Sequence, residues 1–313
     1  MSSIDHIPAA GLKRLDERET AVLEGSVLCF ACVRNEALRL PYFLDYHRTL
    51  GVQRFHIVDN GSTDETRAFL LAQPDVYLFS ADGSYAASMC GVRWMNALLT
   101  AFAPGHWALT LDADELLVYS RCETLPLQGL VDQLNRQGSD ALPGFMLDIY
   151  AAGPIRAAQY KAGTPFLDTC SYFDVDTYHE RTPQGLPSRG GPRHRLFWEG
   201  REWPSRSPVL DKIPLVRWRE GLHYEASTHR ISGNIVLAEA NCLLLHFKLF
   251  ADFFESAAME AMRKEHWDGA GQYAAYSNVL QDFPDLSAHF FGSLRYESSE
   301  QLMAIGLLRD LWG

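Results

Sequence analysis

Residues 54–65 read Arg-Phe-His-Ile-Val-Asp-Asn-Gly-Ser-Thr-Asp-Glu. Arg54–Asp59 reads as a strand. Asn60-Gly61-Ser62 turns the chain. Ser62-x-x-Glu65 has capping-box spacing and predicts a helix to about Gln73, with Asp64 and Glu65 well placed against its dipole. The same rhythm extends in both directions. Upstream, Val27–Val33 is an apolar strand and Pro41–Leu50 a helix closed by Gly51. Downstream come a strand at Val76–Phe79, an amphipathic helix over about Ser88–Phe102 and a strand at Trp107–Leu111. This alternation predicts an α/β fold, a mostly parallel central sheet flanked by helices. Ligands of such sheets bind at the carboxyl ends of the strands. Arg34-Asn35-Glu36, Asp59-Asn60-Gly61 and Asp112-Ala113-Asp114 each follow a strand and are expected along one rim.

The segment Trp107-Ala-Leu-Thr-Leu-Asp-Ala-Asp-Glu-Leu-Leu-Val118 sets three carboxylates between two apolar stretches. Burying them unpaired would cost several kcal/mol each, so a cation is the natural partner. Asp112 and Asp114 point the same way on an extended chain and can approach one hard divalent ion, Mg2+ or Mn2+. Such an ion usually also holds a phosphate. Solvated acids at a strand end are the plainer alternative.

Composition describes an ordinary globular chain of 313 residues, 47% hydrophobic and 21% charged. A net charge of -11 argues against wholesale nucleic-acid binding. No run of about 18 uncharged apolar residues predicts a spanning helix, and the first 25 residues lack the apolar core of a signal peptide. A cytoplasmic protein is expected, with peripheral membrane contact left open. Cys29-Phe-Ala-Cys32 has C-x-x-C spacing inside an apolar strand and no second such pair follows, so core cysteines are expected rather than zinc or redox chemistry. Residues 181–219 hold nine Lys or Arg against three acids, a local +6. That concentration suits an anionic substrate better than a plain solvated loop. Asn241–Phe250 reads as a buried strand, and helices are expected at about Ala251–His266, Tyr273–Gln281 and Glu300–Trp312.

Taken in order, Cys-Val-Arg-Asn-Glu36, Leu40-Pro-Tyr-Phe-Leu-Asp-Tyr-His-Arg-Thr-Leu-Gly-Val52, Ile57-Val-Asp-Asn-Gly-Ser-Thr-Asp64 and Leu111-Asp-Ala-Asp-Glu-Leu-Leu117 resemble the family 2 type glycosyltransferases. The bacterial subgroup with V-x-N-E and D-x-D-E motifs is the most similar. Gly191-Pro-Arg-His-Arg-Leu-Phe197 and Leu244-Leu-His-Phe-Lys248 look like later motifs of that subgroup. The resemblance implies a GT-A fold, a nucleotide-sugar donor (UDP-sugar by family habit), a divalent metal and a glycan or polysaccharide acceptor. It implies nucleotide contacts at Arg34, Glu36 and Asp59, and metal on Asp112 and Asp114. Asp59 is expected to be free for a ligand, because the capping box does not use it.

Several later residues are weighed beside these. Arg93, on the helix before the acidic turn, is a phosphate candidate. His246 and Lys248 share a strand face, so His246 is a candidate third metal ligand and Lys248 a pyrophosphate contact. A core histidine is the plainer reading of His246, and His229 is its rival as ligand. Arg193 and Arg195 alternate along an expected extended segment and could fork onto phosphate, and Lys212, in Asp-Lys-Ile-Pro-Leu-Val-Arg217, is a further phosphate candidate. Inversion needs a general base, for which Asp148 is the first candidate and Glu225 the second.

The expected organisation is an N-terminal arm or short helix (1–25), a nucleotide-sugar-binding half (26–150), an acceptor-side half of the same domain with the basic segment (151–250), and a C-terminal helical region (251–313). Rival functions are a sugar-nucleotide nucleotidyltransferase, a glycoside hydrolase with two spaced carboxylates, and a non-catalytic binding module on the same scaffold. The first should carry a glycine-rich loop after the first strand, where this chain has Arg34-Asn35-Glu36.

Overall fold

The computed structural model describes residues 6–7, 10–18, 22–81 and 83–312. Its strands in chain order are β1 (His6–Ile7), β2 (Leu12–Arg14), β3 (Val27–Val33), β4 (Arg54–Asp59), β5 (Val76–Ala81), β6 (Trp107–Thr110), β7 (Glu115–Val118), β8 (Ala141–Asp148), β9 (Tyr172–Asp174), β10 (Tyr178–Arg181), β11 (Pro187–Gly190), β12 (Asp211–Arg217), β13 (His223–Tyr224), β14 (Ile231–Ser232), β15 (Cys242–His246) and β16 (Ser293–Arg295). The helices are α1 (Leu40–Leu50), α2 (Thr66–Leu71), α3 (Val92–Phe102), α4 (Leu127–Arg136), α5 (Gly191–Phe197), α6 (Phe253–Arg263), α7 (Trp267–Asp282) and α8 (Ser299–Ala304).

Ten strands share one sheet in the order β1-β2-β5-β4-β3-β6-β12-β8-β15-β7. Strands β5, β4, β3 and β6 are parallel neighbours, as are β8 and β15. Antiparallel β12 joins these two parallel groups, and β2 and β7 pair antiparallel on the flanks. The architecture is the expected α/β arrangement of sheet and covering helices.

Side-chain alternation divides the core into two layers. Val27, Cys29, Ala31 and Val33 of β3 pack with α1 and α4, whereas Leu28 and Phe30 face the opposite layer with α3. The same geometry disposes of the Cys-x-x-Cys spacing. Residues three apart on a strand face opposite sides, so Cys29 and Cys32 belong to different layers, and all six cysteines are free. A third apolar cluster joins α5, α6 and α7 through Phe197, Trp198, Phe253 and Tyr276.

Helix α1 ends as expected, with Gly51 left-handed (φ 107°) and the Val52 N–H returning to the His47 carbonyl at 3.0 Å. Three expectations differ. The capping box does not form: α2 starts at Thr66, and Ser62 Oγ instead accepts from the Asn35 N–H across the rim. The described part of the N-terminal arm is a sheet edge rather than a loose arm or helix, because β2 pairs with β5; residues 1–5, 8, 9 and 19–21 lie outside the described residues. The segment of Arg193 and Arg195 is helix α5, not extended chain.

The β8–β15 pair is packed to its limit at Gly144, where a methyl group would lie 2.6 Å from Cys242 Sγ and 2.7 Å from the Cys242 carbonyl oxygen. Gly144→Ala is expected to lower stability by about 1–3 kcal/mol, seen as a lower urea midpoint at an unchanged m-value.

Candidate active site

Strand ends deliver the candidate residues to one rim. Arg34 and Glu36 follow β3, Asp59 ends β4, Asp112 follows β6, and Asp148 and His246 end β8 and β15. Strands β6 and β7 are separated in the sheet by β12, β8 and β15. The Asp112–Asp114 turn is therefore carried across the ends of those three strands. It is a tight turn, closed by the Glu115 N–H on the Asp112 carbonyl at 3.1 Å, rather than the extended chain expected, and its two aspartates meet different partners. Asp112 Oδ2 lies 2.9 Å from Lys212 Nζ, at the start of β12. Asp114 lies over β15: its carbonyl accepts from the Phe247 N–H at 2.8 Å, and its Oδ2 is 3.4 Å from His246 Nε2.

Lys212 anchors the first half of the turn. Its ammonium is 2.5 Å from Oε1 of Glu115, a carboxylate with no exposed surface, and Glu115 Oε2 accepts from the Asp112 N–H at 3.1 Å. Burial pushes the Glu115 carboxyl up, against the pull of Lys212. Burial opposes the charge on Lys212, but Asp112 and Glu115 outweigh it and keep the amine protonated. Lys212 is thus committed to the turn, not free for phosphate.

The second half rests on a buried relay. His246 and Asp148 are register partners on parallel strands, and His246 Nδ1 is 2.6 Å from Asp148 Oδ1. Arg193 Nε lies 2.8 Å from Asp148 Oδ1 and 2.9 Å from Oδ2. Burial opposes both charges of the Asp114–His246 contact, but each partner more than compensates: Asp114 sits well below the usual carboxylate range and His246 is raised. Asp148, opposed by burial, is lowered by Arg193 and His246. With both oxygens engaged and a side chain 1% exposed, Asp148 cannot meet an acceptor hydroxyl, which corrects its expected role as base. Glu225 is no better placed to serve as base. It follows β13 in a small ribbon and pairs with Arg230 at 2.8 Å.

Other expected contacts are also spent within the protein. Asp59 is fully buried: Oδ1 accepts from the Ser62 N–H at 2.8 Å, and Oδ2 lies 2.7 Å from Arg67 Nε. It is not the free carboxylate expected of it. Arg195 forks onto Asp174 with two 3.0 Å contacts and stacks on Phe290. Elsewhere in the basic segment, Arg189 and Arg206 meet Glu180 and Arg219 meets Asp140, acids outside its own window, while Arg181 and Arg201 donate to backbone carbonyls. His229 Nδ1 is 2.6 Å from the Asp211 carbonyl oxygen. Arg34 Nη1 donates to the Asn60 carbonyl at 2.7 Å, and Arg93 is exposed on α3.

Lys248 stands near the relay with its ammonium 3.2 Å from Tyr273 Oη and over the Phe253 and Tyr273 rings. Sequence reasoning missed Arg39. Its guanidinium is 3.4 Å from Glu36 and 2.8 Å from Asp252. The Glu36-x-x-Arg39 spacing was the available signal, being that of a helical ion pair. Helix α6 and the turn after it cross the rim: Arg263 Nη2 donates to Asn60 Oδ1 at 2.9 Å, and the Glu265 carboxylate accepts from the Ser84 hydroxyl and the Ala86 N–H.

Among the described residues no three His, Cys, Asp or Glu side chains form a ready-made metal cage. Asp114 and His246 nevertheless suit a divalent ion. They offer a hard oxygen and an imidazole nitrogen facing each other, and the other ring nitrogen is tied to a carboxylate, as metal-binding histidines usually are. Asp112 is turned to Lys212 and does not join them.

The chain matches no family model and no curated protein. A glucosyl-3-phosphoglycerate synthase from Mycobacterium tuberculosis, solved in complex with Mn2+, UDP and glucosyl-3-phosphoglycerate, is 18% identical over 39% of this chain, at a TM-score of 0.26. The match spans 44% of that synthase, less than half its length. A 4-diphosphocytidyl-2C-methyl-D-erythritol synthase is 14% identical over 91% of this chain and 99% of that chain, at a TM-score of 0.29. Likenesses this loose carry no conclusion about activity or ligands. The resemblance to family 2 glycosyltransferases rests on the sequence motifs.

Two expectations follow from the charges. Lys212→Met leaves Glu115 buried without its partner and should cost about 3–5 kcal/mol in denaturant unfolding; Lys212→Met with Glu115→Gln should recover most of it. Glu36 is pushed by burial from its ordinary 4.5 up to about 7, with Arg39 opposing and Asp114 adding. A folded-state value above the unfolded one means stability is greatest below the unfolded value and is lost as pH rises through about 7. Glu36→Gln should therefore gain stability over the parent by on the order of 2 kcal/mol between about pH 4 and about pH 8, measured by urea unfolding at both.

Proposed function

We propose that the protein is a metal-dependent glycosyltransferase that moves a sugar from a nucleoside diphosphate donor, a UDP-sugar by family habit, to a hydroxyl of a glycan or polysaccharide. The observation that carries this reading is the pairing of Asp114 and His246 on the strand-end rim, with the cations Lys248 and Arg39 close by. Asp114 and His246 would hold Mn2+ or Mg2+. When bound, the ion supplies Lewis-acid stabilisation of the charge that grows on the departing diphosphate.

The chain's own residues do the rest of the positioning. Lys248 keeps its proton: burial opposes the charge, and Tyr273 and Asp114 more than offset it. Its ammonium is held in one place by two aromatic rings, ready for a phosphate oxygen. Arg39 balances Glu36 and Asp252 beside it. Arg34 and Glu36 are on the nucleotide side of the rim, and the buried Asp59 shapes the turn there through Ser62 and Arg67. Arg93 and the exposed carboxylate of Asp112 are further candidates for donor contact. Nucleotidyl transfer is less favoured, because the loop after β3 is Arg34-Asn35-Glu36 and lacks a glycine-rich phosphate cradle. No helix among the described residues is long and apolar enough to cross a membrane.

Titration calorimetry with UDP tests the reading. Binding is expected to require Mn2+ and to be lost in Asp114→Ala. UDP affinity unchanged by Mn2+ and by that substitution would remove the metal-dependent transferase.

A further inference from the structure

We propose that Asp148 and Arg193 are positioning residues whose work is to aim His246 Nε2 at a divalent cation shared with Asp114. This rests on the reading of Asp114 and His246 as a metal pair, and goes beyond it by assigning the two residues behind them.

The register supplies the first part. His246 and Asp148 leave neighbouring parallel strands side by side, so a short bond from Oδ1 to Nδ1 needs no distortion of either strand. A carboxylate at 2.6 Å fixes the proton on Nδ1 and leaves Nε2 as the atom that faces Asp114. That is the tautomer a cation needs, and a carboxylate partner also makes the imidazole a stronger donor.

Arg193 supplies the second part. Bound to one partner alone, Asp148 could rotate about its own side chain. Arg193 Nε straddles both oxygens, at 2.8 and 2.9 Å, while His246 holds Oδ1, and the two partners together set the carboxylate plane. The chain reaches this position through Gly190 and Gly191, both with positive φ. A methyl group at Gly190 would lie 2.6 Å from the Thr177 carbonyl oxygen. The turn from β11 into α5 therefore packs on the start of β10 through bare backbone, and Gly191 beside it lies next to Asp148, where a methyl group would sit 3.8 Å from Oδ2.

Stability alone is a poor explanation for the arrangement. Asp148 and Arg193 are 2% and 4% exposed, and a buried ion pair gives up in desolvation about what it gains in attraction. Two residues further along the same helix, Arg195 holds the buried Asp174, which also accepts from Tyr150 and Thr177. That second pair has the same chemistry, but its partners are scaffold groups rather than His246 or Asp114. It is an internal control.

The test titrates Mn2+ into the full chain with and without UDP, by calorimetry and by the Mn2+-induced rise in Tm. Asp148→Asn is expected to weaken Mn2+ about 10- to 100-fold, and Arg193→Lys by a smaller factor. Arg195→Lys should lower Tm yet leave Mn2+ affinity within about twofold of the parent, as expected of a scaffold pair outside the metal's outer shell. Should Asp148→Asn fail to fold, Asp148→Asn with Arg193→Met removes both charges together and is expected to show the same loss of Mn2+. Equal Mn2+ affinity in these variants and the parent, or an equal loss in Arg195→Lys, overturns the positioning role. A parent chain that binds no Mn2+ under either condition overturns the metal site itself, and the positioning role with it.

Discussion

The pairing of β8 with β15 is the constraint on which the rim depends. Among the described residues it is the one parallel pair of named strands on the far side of the antiparallel β12. Its register sets Asp148 beside His246, and its tight approach at Gly144 leaves little room for slippage. A one-residue shift would send His246 to the other face of the sheet. Everything gathered around the imidazole follows from that alignment: Arg193 behind Asp148, Asp114 in front of His246, and Lys248 two residues on.

The acidic turn is held from two sides. Lys212 reaches from β12 to Glu115 and Asp112, while the Phe247 N–H takes the Asp114 carbonyl over β15. A buried lysine between two carboxylates does for the first half of the turn what a bound cation would do for the second. The cation anticipated by the sequence is thus in part a side chain. Two aspartates two residues apart end up with different partners because the turn has to travel across three strand ends.

The basic segment follows the same logic. A local +6 invites an anionic ligand, yet most of those charges meet acids contributed by other parts of the chain, such as Asp148, Asp174, Glu180 and Asp140. Charge along a sequence is a one-dimensional quantity, and neutralisation happens in three dimensions. Arg193 and Arg195 show it most clearly. Winding into α5 sends each to its own buried carboxylate instead of both to one phosphate.

The sequence by itself determined the α/β architecture, because apolar runs of strand length alternate with helical periodicity and close on stops such as Gly51. It also placed Arg34, Glu36, Asp59, Asp112 and Asp148 at strand ends, since each follows or ends such a run; His246 it set inside a strand reaching Phe250, whereas β15 ends at His246. Tertiary structure alone decided what these residues touch. Asp59 closes its own turn through Ser62 and Arg67, Asp148 turns inward to His246 and Arg193, and Arg39 clamps Glu36 to Asp252 across more than two hundred residues. Strand ends are set by local pattern. Partners across the rim are set by strand order and register, which no local pattern encodes.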